Sequence, residues 1–179
     1  LGRPPVAPAA PAPGRLLDAA RARISKARRP VMIAGLGVLH HGAEADVAAL
    51  CRAHQIPLLT TYKAKGVLDE RDPLSLGGHG LSPAADAIIA PMLADADLIL
   101  LAGYDPVEMR PGWRGLWAPE QAIEVAHIAP APGIHVASAA FLVDFGARLS
   151  LLLLSLPPLL LSFSFSSFFF LYSLLLSLF

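Results

Sequence analysis

"DLILLAGYDPVEMRPGWRGLW", residues 97–117, runs from an unbroken apolar stretch through a glycine into acids, two arginines and two tryptophans. Residues 97–103 read as a strand buried on both faces, because nothing polar interrupts Leu98 to Ala102. The polar and aromatic cluster therefore begins where a strand ends. In an open parallel sheet, ligands collect outside the carboxyl ends of the strands.

Working outward, the same strand type recurs. "VMIAG", residues 31–35, and "IPLLTT", residues 56–61, are short apolar runs. "AIEVAHI", 122–128, reads as a fourth strand and "AAFLVDF", 139–145, as a fifth. Helical patterns separate the first three. Residues 15–28 carry a stripe of Leu16, Ala20, Ile24 and Ala27, and Pro30 stops the helix. Gly35 and Gly37 make a turn, and a helix follows over 43–55 with Glu44 and Asp46 at its positive end. Residues 62–81 read as a long loop, a length that is usually functional. Ser82 caps a third helix with Pro83 at its first position. Ile88, Ile89 and Met92 are its expected buried side, and Pro91 is expected to kink or split it. This alternation predicts an α/β fold: a Rossmann-like parallel sheet with helices on both faces.

The bulk properties exclude more than they specify. At 179 residues the chain suffices for one domain with a core. Fourteen basic residues balance fourteen acidic ones, so no global field favours nucleic acid. Arg3, Arg15, Arg21, Arg23, Lys26, Arg28 and Arg29 cluster near the start and read as a solvated helix face. Cys51 is the only cysteine, which excludes an intrachain disulfide and fits a reducing, cytoplasmic setting. Its neighbours at helical spacing, Val47, Leu50 and His54, mark it as a small core residue rather than a nucleophile. Residues 1–13 hold no apolar run that would serve as a secretory signal.

The individual motifs are weak. "AGLGVLHHG" is not a dinucleotide fingerprint, because His40 stands where G-x-G-x-x-G needs its last glycine. It reads either as a tight strand-to-helix turn or as a phosphate cradle. The histidines lack metal-ligand spacing, and no nucleophile elbow or phosphate-binding P-loop is present. "LGGHG", 76–80, could set backbone N–H groups against a ligand or simply bend. Trp113 and Trp117 would share a face if helical, and read as core or interface anchors. Asp105 before Pro106 reads as the cap of a turn.

Three stretches in order, "ARRPVMIAGLGV", "IPLLTTYKAKGVLDERDPLSLGGHG" and "ADLILLAGYDPVEMRPGW", resemble the central domain of thiamine-diphosphate-dependent enzymes of the acetolactate synthase type. The "GYDPVE" run with its following Trp is most similar to the catabolic, FAD-independent branch. The resemblance implies a parent that decarboxylates a 2-keto acid and transfers the two-carbon unit, using thiamine diphosphate and Mg²⁺. It also implies that the groups doing this chemistry lie on other domains. The glutamate-bearing domain and the Gly-Asp-Gly…Asn motif are not in this sequence, so the chain alone is expected to be structural and inactive, with no catalytic or metal residues of its own. Its expected partners are those two domains and further copies of the parent. By the same resemblance, Gly35, Leu36, Gly37, Thr61, Tyr62, His79, Gly80, Gly103 and Asp105 would line a nucleotide site. FAD-binding members carry an arginine where Asp105 stands, and a carboxylate there repels a diphosphate. FAD is therefore not expected; ADP, held by a free-standing module of this fold, is the alternative.

Three regions follow: a Pro/Ala-rich linker over 1–14, the α/β domain over 15–147, and a tail over 148–179. The absence of an initiating Met points to a start further upstream. From Leu149 to Phe179 only Tyr172 departs from Leu, Ser, Phe and Pro, the four residues that all-pyrimidine codons encode. The tail thus reads as a frameshift product. A membrane anchor is the other reading, weakened by Pro157-Pro158 and by frequent serine.

Overall fold

A computed structural model describes residues 15–113, 115–126 and 139–142, with side chains from Asp18 onward except those of 139–142. The linker over 1–14, the tail over 148–179 and the last residues of the fourth and fifth expected strands lie outside the described residues. In chain order the elements are α1 (Arg15–Lys26), β1 (Pro30–Ala34), α2 (Leu36–His40), α3 (Glu44–His54), β2 (Leu58–Thr61), β3 (Ser75–His79), α4 (Pro83–Asp95), β4 (Leu98–Ala102), β5 (Ala122–Ala126) and β6 (Ala139–Leu142). The six strands form one sheet in the order β3-β2-β1-β4-β5-β6. Every pairing is parallel.

The order reverses at β1. The chain steps outward to β2 and β3, then crosses back through α4 to lay β4 beside β1 from Pro30↔Leu98 to Ala34↔Ala102. Right-handed crossovers running in opposite directions must place their helices on opposite faces. The core divides accordingly. Ala20 and Ile24 of α1, with Val47 and Cys51 of α3, pack on Met32, Leu58 and Leu100. Ile89 and Leu93 of α4 pack with Trp113 and Trp117 on Ile33, Leu59 and Leu101. Alternate residues of β1, β2 and β4 serve the two layers, which is why β1 and β4 carry no polar side chain and β2 none before Thr60 and Thr61 at its carboxyl end. The Asp97 carboxylate accepts from the backbone N–H groups of Arg28 and Arg29 at 2.7 and 2.9 Å, fixing the entry to β1 against β4.

Four expectations are corrected. The segment 62–81 is not all loop: β3 lies within it and pairs with β2. Its "SLGGH" lacks a continuous apolar run, and Gly77, at φ +79°, sits where the register shifts between Leu58 and Leu59. Pro91 does not split α4, which runs unbroken from Pro83 to Asp95. The proline lies on the exposed face, where water can satisfy the carbonyl it releases. Ile88 is 38% exposed; Asp86 and Leu93 join Ile89 and Met92 on the buried side. The turn expected at Gly35–Gly37 winds into a short helix that contains Gly37.

Candidate functional site at the carboxyl ends of the strands

At the switch point between β1 and β4 the backbones approach one another closely. The Gly35 N–H donates to Ala102 O at 2.9 Å, the Gly37 N–H to Gly103 O at 3.0 Å and the Gly103 N–H to Val125 O at 2.8 Å. Gly103 turns at φ +54°, and a Cβ there would lie 2.7 Å from the Val38 nitrogen. A Cβ on Gly35 would overlap the Gly103 carbonyl. These glycines allow one backbone to approach another. The space a cradle would give to a ligand is filled by the β4 exit.

Residues 104–113 leave β4 and double back over the strand ends as a strap. Asp105 Oδ1 accepts from the Val107 N–H at 2.9 Å, opening a 3-10 turn over Pro106–Glu108, as a cap should. Three residues on, the Glu108 carboxylate reaches across β1 to β2. Its Oε1 accepts from the Leu36 N–H at 3.2 Å, and its Oε2 accepts from the Thr61 hydroxyl at 2.6 Å. Met109 packs over Gly80, filling the place a Cβ would take. The Arg110 N–H donates to Gly80 O at 2.9 Å. Arg110 Nε–H donates to Asp86 Oδ2 at 2.7 Å, and Asp86 Oδ1 accepts from the Gly80 N–H at 2.8 Å. Asp86 is buried at the start of α4, so its charge is matched there by the guanidinium, one backbone donor and the helix end. Trp113, with no exposed surface, stacks on His79 with ring centres 6.4 Å apart and ends the strap.

The structure thus brings all nine sequence-derived site residues to one end of the sheet, but most of their polar groups are already engaged. The Gly35, Leu36, Gly37 and Gly80 N–H groups and the Thr61 hydroxyl all donate within the chain. His79 is buried, with its Nε2 2.9 Å from Leu76 O and its Nδ1 3.7 Å from Asp86 Oδ1. Tyr62 points outward, 58% exposed. Asp105 is exposed at the cap; the carboxylate beside the first turn of α2 is Glu108. The carboxylate expected beside that turn at Asp105 is thus supplied by Glu108. Sequence reading missed Glu108, Arg110 and Asp86. The one signal for Glu108 was its position three residues beyond a turn-capping aspartate, which folds it back toward the strands.

Two further titratable groups lie near this end or beneath the sheet. Glu124 sits in β5, 3% exposed, and burial raises its carboxyl above the usual range, with the Asp105 charge adding to the shift. Burial, then the Asp72 carboxylate, pushes the Cys51 thiol up to about 12, and its Sγ lies 3.8 Å from Met32 Sδ. Cys51 is a core residue, as its spacing implied. Among the described residues no group of three or more His, Cys, Asp or Glu could hold a metal ion. Among the same residues no helix is long and apolar enough to cross a membrane.

Comparison with known proteins converges on one family. The family model described as "Thiamine pyrophosphate enzyme, central domain" matches residues 17–144. An acetolactate synthase of Arthrospira platensis is 40% identical over 67 residues, 37% of this chain and 12% of that protein. A probable 2-ketoarginine decarboxylase of Pseudomonas aeruginosa is 41% identical over 92 residues, 50% of this chain and 15% of that one. The chain therefore spans a small fraction of the length of these curated relatives. A solved structure assigned as a thiamin diphosphate-dependent enzyme isolated from Mycobacterium smegmatis superposes with a TM-score of 0.60 at 16% identity, covering 79% of this chain and 28% of that one. At that identity the superposition shows a shared fold.

Proposed function

Since the chain belongs to the family of the thiamine pyrophosphate enzyme central domain, we propose that it serves as the structural middle of a thiamine-diphosphate-dependent 2-keto acid decarboxylase or carboligase similar to acetolactate synthase. The observation that carries this reading is the match over residues 17–144, joined to relatives named for acetolactate synthesis and for 2-ketoarginine decarboxylation. The parent is a cytoplasmic transferase or lyase assembled from several copies. Its other domains bind the thiamine diphosphate and Mg²⁺. Among the described residues no group of three or more His, Cys, Asp or Glu could hold the metal. When bound elsewhere in the parent, the cofactor supplies the carbanion-stabilising chemistry. This domain contributes a rigid sheet with its carboxyl end closed by the strap, a spacer between the domains that react. The linker over 1–14, the α/β domain over 15–147 and a frameshifted tail over 148–179 complete the proposed organisation.

The test begins with the DNA flanking this reading frame. The reading expects a preceding frame for the glutamate-bearing domain and a following one for Gly-Asp-Gly…Asn. Expressed together, they should release CO₂ from a 2-keto acid only when thiamine diphosphate and Mg²⁺ are added. Flanks that encode neither, around an intact start and stop, would overturn it.

A further inference from the structure

We propose that the strap over residues 104–113 stands in for a ligand at the strand ends, with Glu108 supplying the anion, and that this end of the domain is thereby closed to nucleotide diphosphates. A doubly wound sheet holds a nucleotide by aiming backbone N–H groups and a hydroxyl at its phosphates. Here those donors are present, and a carboxylate of the same chain accepts from two of them. Leu36 N–H and Thr61 Oγ1 lie 3.2 and 2.6 Å from the two oxygens of Glu108. An incoming diphosphate would have to displace a charge-assisted pair and then lie beside that carboxylate, which repels it.

The strap is held at its other end as well. The Met109 side chain fills the space over Gly80, and Arg110 is fixed to Gly80 O and to the buried Asp86. Opening the crevice therefore means lifting Glu108, Met109 and Arg110 together, and drawing Trp113 out of a fully buried site. The cost of that displacement subtracts directly from the affinity of any ligand that needs the open form. The inference stands on this geometry and not on the chemistry of the proposed parent, so either can fail without the other.

The experiment uses the full chain and its two tryptophans, both in or just beyond the strap. Isothermal titration with ADP, and separately with FAD, is expected to give no saturable heat up to about 1 mM ligand. Saturable binding of either at one per chain would overturn the proposal. In parallel, acrylamide quenching of tryptophan emission is compared in wild type, Glu108→Ala, Thr61→Val and the double variant, with far-UV circular dichroism as the folding control. Each single change is expected to raise the quenching constant about twofold as the strap loosens, and the double change to add little, because both cut the same contact. Thr61→Val leaves the strap sequence untouched, so it keeps the test informative if Glu108→Ala folds poorly. Unchanged quenching in both singles, with the fold retained, would show that Glu108 does not hold the strap and would equally overturn the proposal.

Discussion

At Gly35 and Gly103 the fold tolerates no side chain, and for a different reason at each. Gly35 has an ordinary backbone but faces the Gly103 carbonyl and Tyr104 Cα, while Gly103 also turns at φ +54°. Gly35→Ala forces two strand ends apart and should cost about 1–3 kcal/mol by overpacking. Gly103→Ala adds the left-handed penalty of about 1 kcal/mol to a similar clash. Urea denaturation of both variants should rank Gly103→Ala as the less stable. Glu124 makes a prediction with a sign. Its folded carboxyl titrates above its unfolded value, so the folded chain binds the extra proton and stability falls as pH rises between the two. Glu124→Gln should therefore raise the melting temperature near neutral pH and change it much less at a pH below the ordinary carboxylate range. An equal shift at both would show that packing, not charge, governs the site. Cys51, with its thiol near 12, holds almost no thiolate near neutral pH. A disulfide reagent should modify it only at the rate of unfolding, and fast modification of the native chain would contradict its burial.

The elements differ in how openly their sequences announce them. β1 and β4 are legible because two helix layers demand apolar residues on both faces, leaving an unbroken run, and β2 because the same demand shapes residues 56–59 before its two threonines. β3 is not legible, because "SLGGH" lies at the sheet edge and carries two glycines, one of them at the register shift. α2 was hidden for a related reason: five residues that include Gly37 have no periodicity to read. The behaviour of Pro91 depends on which face it takes, and single-sequence pattern does not fix that. Since it is exposed within an unbroken α4, Pro91→Ala should restore one helical hydrogen bond and raise helix propensity. The expected gain is about 1–3 kcal/mol in chemical denaturation. A loss instead would mean that proline's restriction of the unfolded chain outweighs the missing bond. At the start of the same helix, Asp86→Ala strands the Gly80 N–H and frees Arg110. That change should cost about 3 kcal/mol, and Asp86→Asn, which keeps one acceptor, should cost less.

For the whole molecule, the family and the sheet were readable from three ordered stretches, while the state of the site was not. The nine residues named from sequence lie near the strand ends, because strand ends follow from strand assignments. Whether those residues face open space depends on where the chain goes after Gly103, and that is decided by tertiary contacts. Glu108 on Thr61, Met109 on Gly80 and Arg110 on Asp86 link positions 24–47 residues apart. The strap is consequently pinned to the core by Tyr104, Met109 and Trp113, while Val107 between them stays exposed. Trp113 and Trp117 meet edge to face, centres 6.4 Å apart, and pack in the layer that holds α4 against the sheet. If that layer and the opposite one share the central strands as a single cooperative unit, tryptophan emission and far-UV circular dichroism should lose their native signals at the same urea concentration. The aromatic pair reports one face, whereas α1 and α3, which carry much of the helical signal, report the other. Emission that changes at distinctly lower urea would mean that the strap and its tryptophans open as a separate unit of lower stability. In that event the closed carboxyl end would be a local equilibrium, and Glu108→Ala should move the early transition while leaving the later one in place.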